Sequence, residues 1–113
     1  LHPQFMNRSS ADYCRQHGIA VTAWSPLARG RVFDTPQVTT VAQQLGVTPA
    51  QAVLRWHIQL GNVVIPKSVT PARIAANLDI DSFELSSQQM ELISSLDQGE
   101  AGRSGKHPDY DWL

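Results

Sequence analysis

The sequence predicts an α/β fold organised around a parallel sheet. Two unbroken apolar runs of strand length, residues 19–24 and 62–66, stand among segments whose apolar residues recur at helical spacing. Helical stretches separate the two runs, which implies a right-handed crossover and parallel strands. The composition is globular: 42% of the 113 residues are hydrophobic and 17% charged, too apolar for a disordered chain. Two parallel strands cannot cover both of their own faces, so the fold reads as part of a larger one.

The elements follow in order. The opening LHPQFMNRSS is loop-like, and Ser9 or Ser10 can cap a helix that runs to about His17, with Gly18 ending it. The first strand, 19–24, stops at Ser25-Pro26. Residues 27–35, with Gly30, Arg29, Arg31 and Asp34, read as a loop. Val38, Val41, Ala42 and Leu45 mark an amphipathic helix that closes at Gly46. Thr48-Pro49-Ala50-Gln51 is a strong helix start: Thr48 caps, Pro49 loses nothing at the first turn, and Gln51 completes a capping box. Ala52, Val53, Trp56 and Leu60 give that helix one apolar face before Gly61. The second strand follows, then a turn at Lys67-Ser68-Val69 and a helix from Thr70-Pro71 to about Leu78. Ser86 or Ser87 caps a last helix carrying Met90, Ile93 and Leu96. Residues 99–113 show no periodicity and form a tail, irregular and mobile unless it docks.

Charge and cysteine content exclude several classes. Nine Lys and Arg against ten Asp and Glu leave a net charge of -1, which argues against coating nucleic acid or an anionic membrane. The single Cys14 excludes an internal disulfide and a cysteine-based zinc site. No apolar run approaches the ~20 residues of a membrane span, and no signal peptide is visible, so a cytoplasmic protein is expected. His2, His17, His57 and His107 show no metal-ligand spacing, and His17 and His57 read as helix-surface residues. Asp109 and Asp111 around Tyr110 read as a solvated acidic end.

The stretch IPKSVTPARIAAN (65–77) carries the most chemistry. A strand ends, two polar residues follow, and a helix begins at Thr70, where outward N–H groups can hold an anion. Lys67 before the cap and Arg73 one turn inside supply a point charge and a fork, which suit a phosphate monoester. Spacing alone does not separate this from a capped helix with two solvated cations. A second pattern, residues 41–60, has the look of a DNA-binding helix-turn-helix, yet its would-be recognition helix carries Arg55 as its one cation.

IPKSVTPARIAAN resembles the nucleotide-binding signature of the aldo-keto reductases, NADP(H)-dependent enzymes on a (β/α)₈ barrel. AWSPLARG (23–30) and TPAQAVLRWHIQLGNVVIPKS (48–68) fit the same family, especially its 2,5-diketogluconate reductase-like branch, and the opening LHP matches the end of its sixth-strand Asn-Gln-x-Glu-x-His-Pro segment. The resemblance implies that residues 1–113 are the C-terminal part of such a barrel, its last two βα units with a final helix and the 99–113 tail. A closed barrel needs roughly 250 residues. It also implies that Lys67, Ser68 and Arg73 hold the adenosine 2′-phosphate of NADPH, that Val69 and Thr70 line that site, and that Asn77 faces the adenine. Ala76 replaces a common glutamate near the adenine amine. Ile65 lies beside the cofactor, Trp24 stacks on the nicotinamide, and Ser25, Leu27 and Arg29 belong to the loop along the pyrophosphate.

The family's tyrosine acid, its lysine and aspartate helpers and its histidine come from earlier strands, and neither Tyr13, Tyr110 nor His107 matches them. The chain starts at Leu1 in mid-motif, so a segment of a longer carbonyl reductase is expected. It would be inactive alone and completed by the N-terminal part of the barrel, with a small carbonyl substrate and no nucleic acid or membrane partner. A non-catalytic nucleotide-binding module is the alternative.

Overall fold

The computed structural model describes residues 1–110. Five α-helices and two strands follow the expected order. Helix α1 (Arg8–Gln16) leads to β1 (Val21–Ala23), and α2 (Pro36–Leu45) and α3 (Pro49–Gln59) cross over to β2 (Asn62–Val64). Then come α4 (Pro71–Leu78) and α5 (Ser87–Ser94), with short 3-10 turns at Ala28–Gly30 and Gly99–Gly102. The strands pair in parallel, Val21 with Asn62, Thr22 with Val63 and Ala23 with Val64. Both are shorter than the apolar runs suggested. Among the described residues each has a partner on one side only, so the flanking residues 19–20, 24 and 65–66 find no ladder to join.

The caps explain where the helices start and stop. Thr48 Oγ1 accepts from the N–H of Gln51 (3.1 Å), and Gln51 Oε1 accepts from the N–H of Thr48 (3.0 Å), closing the expected box. Ser86 and Gln89 build a second box at α5. Helix α1 departs from expectation: its N-cap is Asn7, in a left-handed conformation, and no side chain caps it. Ser9 and Ser10 lie inside the helix. At Gly46 the left-handed φ of 65° lets the Val47 N–H reach back to the Ala42 carbonyl (3.0 Å) and close α2.

The core lies on the helical side of the sheet. Val38, Val41 and Ala42 of α2 meet Ala52, Val53 and Trp56 of α3 and Ile93 of α5, with Ala28, Val32 and Leu85 filling the rim. Trp56 satisfies its indole N–H on Ser94 Oγ (2.9 Å). This packing weighs against the DNA-binding reading. Helix α3 buries Gln51 to Leu54, Trp56 and His57, so most of the would-be recognition surface is spent on the core. Arg55 is tied to Asp81 (2.9 Å), Glu84 (3.4 Å) and the Ile80 carbonyl (3.1 Å).

The tail takes the docked course that the sequence left open. The Gln98 N–H donates to the Gln4 carbonyl (2.9 Å), and Gly102 presses on that same carbonyl so closely that a Cβ would collide with it. Residues 98–105 therefore dock along the opening segment, while Asp111 and Trp112 lie outside the described residues. Among the described residues, no helix is long and apolar enough to cross a membrane.

Candidate functional site

The parallel register decides what the site contains. Ala23 pairs with Val64, so the next residues, Trp24 and Ile65, emerge side by side at the carboxyl end of the sheet. The loops that follow, 25–30 and 66–70, therefore leave from the same end, where parallel α/β folds collect ligands. Trp24 is 60% exposed and Ile65 75%. Large apolar side chains left open at that end offer contact area to a ligand.

The loop after β1 is backbone-strained. Ser25, Ala28 and Arg29 all have left-handed φ, at 51°, 49° and 55°, each costing roughly 1–2 kcal/mol for a residue with a Cβ. Internal bonds hold the bend: Ala28 N–H to the Ser25 carbonyl (2.9 Å) and Gly30 N–H to the Leu27 carbonyl (2.8 Å). Arg29 is exposed on the tip, whereas Leu27 turns its side chain into the core and leaves its backbone to the site.

The loop after β2 ends in α4. Ser68 Oγ accepts from the Thr70 N–H (3.2 Å), and no side chain caps α4. Thr70 is the N-cap, exposed as are Lys67, Val69 and Arg73. Asn77, half-buried, lies four residues beyond Arg73, on the same helix face. A hydroxyl, an ammonium, a guanidinium and an uncapped helix start are a donor set suited to a phosphate group.

Beside these residues runs a groove of about 880 Å³, bounded by Trp24, Arg29, His2, Phe5, Arg103 and Gly105 among others. Of the candidates read from sequence, only Trp24 and Arg29 line it. Lys67, Ser68 and Arg73 sit outside it, so the groove and the phosphate-type site are neighbouring parts of one sheet end. Arg29, Arg103 and Lys106 line the groove, and its described lining residues include no carboxylate; of the three, Arg103 is engaged by Glu100. Arg103 lies over the Phe5 ring (4.4 Å to the centroid) and pairs with Glu100. Gly105 lies against the Trp24 ring, where a Cβ would stand 2.8 Å from Cζ3 and 3.1 Å from Cη2.

Sequence reasoning missed the tail's share of this wall. The available signal was the pair Gly102 and Gly105, glycines being the residues that allow close backbone approach. It also misplaced His57, which is fully buried rather than on the surface. His57 Nε2 donates to the Pro26 carbonyl (2.9 Å) and Asn62 Nδ2 donates to His57 Nδ1 (3.2 Å). Burial pushes its pKa down to about 4, against the Pro26 bond that favours the charged form. His2 is buried as well, with Nε2 3.1 Å from Ser104 Oγ.

Comparison with known proteins gives this sheet end a family. The Aldo/keto reductase family matches residues 34–98, more than half of the chain. The chain belongs to the aldo/keto reductase family. It is 50% identical over 108 residues to an aldo-keto reductase of Mycolicibacterium smegmatis, and 46% identical over 111 residues to the methylglyoxal reductase DkgA of Escherichia coli K12. Each match covers 96% of this chain but only 38% and 40% of the relative, so the chain spans about two fifths of their length. Among solved structures, an NADPH complex of a Gox0644 variant superposes at a TM-score of 0.96 with 40% identity, covering all of this chain and 41% of that one.

Proposed function

We propose that residues 1–113 act as the cofactor-holding C-terminal segment of an NADP(H)-dependent aldo-keto reductase. That enzyme would be a (β/α)₈ barrel reducing a small aldehyde or ketone to the alcohol, with residues 99–113 as its tail. The observation that carries this reading is the parallel register of β1 and β2. It gathers an exposed indole, two cations, a hydroxyl and an uncapped helix start at one end of the sheet. The NADPH complex of a relative that covers the whole chain supports the same choice of cofactor.

Bound NADPH would supply the hydride, and the residues of this chain bind and orient. Lys67 and Arg73 balance a 2′-phosphate over the start of α4, where the first-turn N–H groups add partial positive charge. The Ser68 oxygen is engaged by the Thr70 N–H, which leaves its own proton for a phosphate oxygen. Val69 and Thr70 line that pocket, Asn77 meets the adenine, and Ile65 gives an apolar wall. Trp24 presents its ring to the nicotinamide, steadied at one edge by Gly105. Ser25, Leu27 and Arg29 follow the pyrophosphate, two through backbone and Arg29 through charge. The acid for the developing alkoxide is assigned to polypeptide beyond these residues. The substrate is a small carbonyl compound of the kind the Escherichia coli relative's name states, methylglyoxal.

Cofactor discrimination tests the reading. In the complete reductase, Arg73→Ala should weaken NADPH binding by ~1.5–3 kcal/mol, the scale of a charge-assisted hydrogen bond, and leave NADH nearly unchanged. Titration of both cofactors decides it, and an equal loss for the two overturns the assignment.

A further inference from the structure

One buried side chain outside the cofactor-facing residues reaches into the strained loop. His57, near the end of α3, has no exposed surface, and its ring meets Trp56 edge-on at 4.7 Å. Its two hydrogen bonds specify one tautomer. The Pro26 carbonyl only accepts, so Nε2 carries the hydrogen; the Asn62 amide nitrogen only donates, so Nδ1 is bare.

Pro26 sits where the loop most needs a hold. Ser25 precedes it and Ala28 and Arg29 follow, all in the left-handed region that residues with a Cβ avoid. Proline has no N–H to anchor, so its carbonyl is the point at which α3 takes hold of the bend. Asn62 opens β2. The bonds therefore run from β2 through α3 to the loop after β1, tying together the two strands whose carboxyl ends form the site.

We propose that His57, oriented by Asn62, is a positioning residue that locks the 25–30 loop in its left-handed shape and so sets the reductase's grip on its dinucleotide. The loop lock stands on geometry alone, and its consequence for cofactor affinity rests on the proposed function.

Hydrogen exchange and kinetics on the complete reductase test both halves. The amides of Ala28, Gly30 and Arg31, bonded inside the loop, should exchange about tenfold faster in His57→Phe, the effect of one lost buried hydrogen bond. Helix α2 amides should keep their wild-type rates. KM for NADPH should rise about tenfold with kcat changed less than about twofold, and His57→Gln, which keeps a donor, should restore both to within about threefold. Ring nitrogen NMR should report Nε2 protonated and Nδ1 bare. Unchanged loop exchange, or acceleration shared equally by α2 and α3, overturns the lock. Faster loop exchange with an unchanged NADPH KM overturns the link to cofactor. If His57→Phe does not fold, Asn62→Ala, which frees the ring to take the other tautomer, should give about threefold faster loop exchange. No change there overturns the proposal. A wild-type enzyme without NADPH affinity refutes the proposed function instead, and loop exchange then decides the lock by itself.

Discussion

Trp24 and Trp56 show how differently one residue type is used within a single chain. Trp56 is buried, and its indole N–H is bonded to Ser94. Trp24 stands 60% exposed at the sheet end with Gly105 on its ring. Of these two, Trp24 alone has a free face for a flat ligand ring. In the complete reductase, Trp24→Ala should therefore lower kcat more than it weakens NADPH binding, because the nicotinamide is no longer oriented. It should also abolish the quench of tryptophan fluorescence on NADPH addition. A quench that persists unchanged would assign Trp24 to packing. His57 is the residue whose setting was least legible. Helical spacing placed Ala52, Val53, Trp56 and Leu60 on one apolar face, which left the adjacent His57 on an apparent surface. The helix is in fact enclosed by α2, α5 and β2, so residues off that face are buried too.

At the scale of elements, capping chemistry was the most legible signal, because it depends on neighbours three residues apart. The Thr48–Gln51 box forms as its spacing requires. Thr70 has the same Thr-Pro context, yet its side chain makes no cap bond. Thr48→Ala should thus destabilise the protein by about 1 kcal/mol, and Thr70→Ala should leave stability nearly unchanged. Urea unfolding of the two variants reads the difference, and equal losses would contradict it. Strand ends were less legible than caps. An apolar run reports affinity for a sheet, whereas the length of a strand depends on a partner ladder, which here extends over three residue pairs.

Two features of the whole molecule have measurable consequences. Each of the two strands has one edge unpaired among the described residues, and α4 buries none of its residues, with Leu78 and Ile74 exposed. The purified 113-residue chain should therefore associate at micromolar concentration, seen by light scattering, and should not oxidise NADPH in the presence of an aldehyde. Steady turnover by a monomer would overturn that expectation. The second feature is pH dependence. His57 and His2, whose pKa values burial lowers from 6.5 to about 4, bind protons more readily in the unfolded chain. Their contribution to stability is complete above pH 6.5 and is lost as pH falls from there to 4, with a slope of up to about 1.4 kcal/mol per pH unit per histidine. Unfolding midpoints at pH 7.5, 5.5 and 4.5 should fall in that order, and a flat profile would show that these rings are solvated.

By itself the sequence determined the α/β class, the order of helices and strands, the cap at Thr48, a second cap at Ser86 or Ser87, and the family motifs from Trp24 to Asn77. Each of these depends on local spacing or on a short run of residues. Tertiary structure decided the rest. It brought the 25–30 and 66–70 loops to one sheet end, turned Leu27 inward, buried His57 against Pro26 and Asn62, and laid Gly102 and Gly105 of the tail along Gln4 and Trp24. Apart from the His57–Asn62 bond, which spans five positions, those contacts join residues distant in the chain, and no local pattern records them. They exist because apolar surface packs, and buried polar groups bond, wherever the folded chain brings partners together.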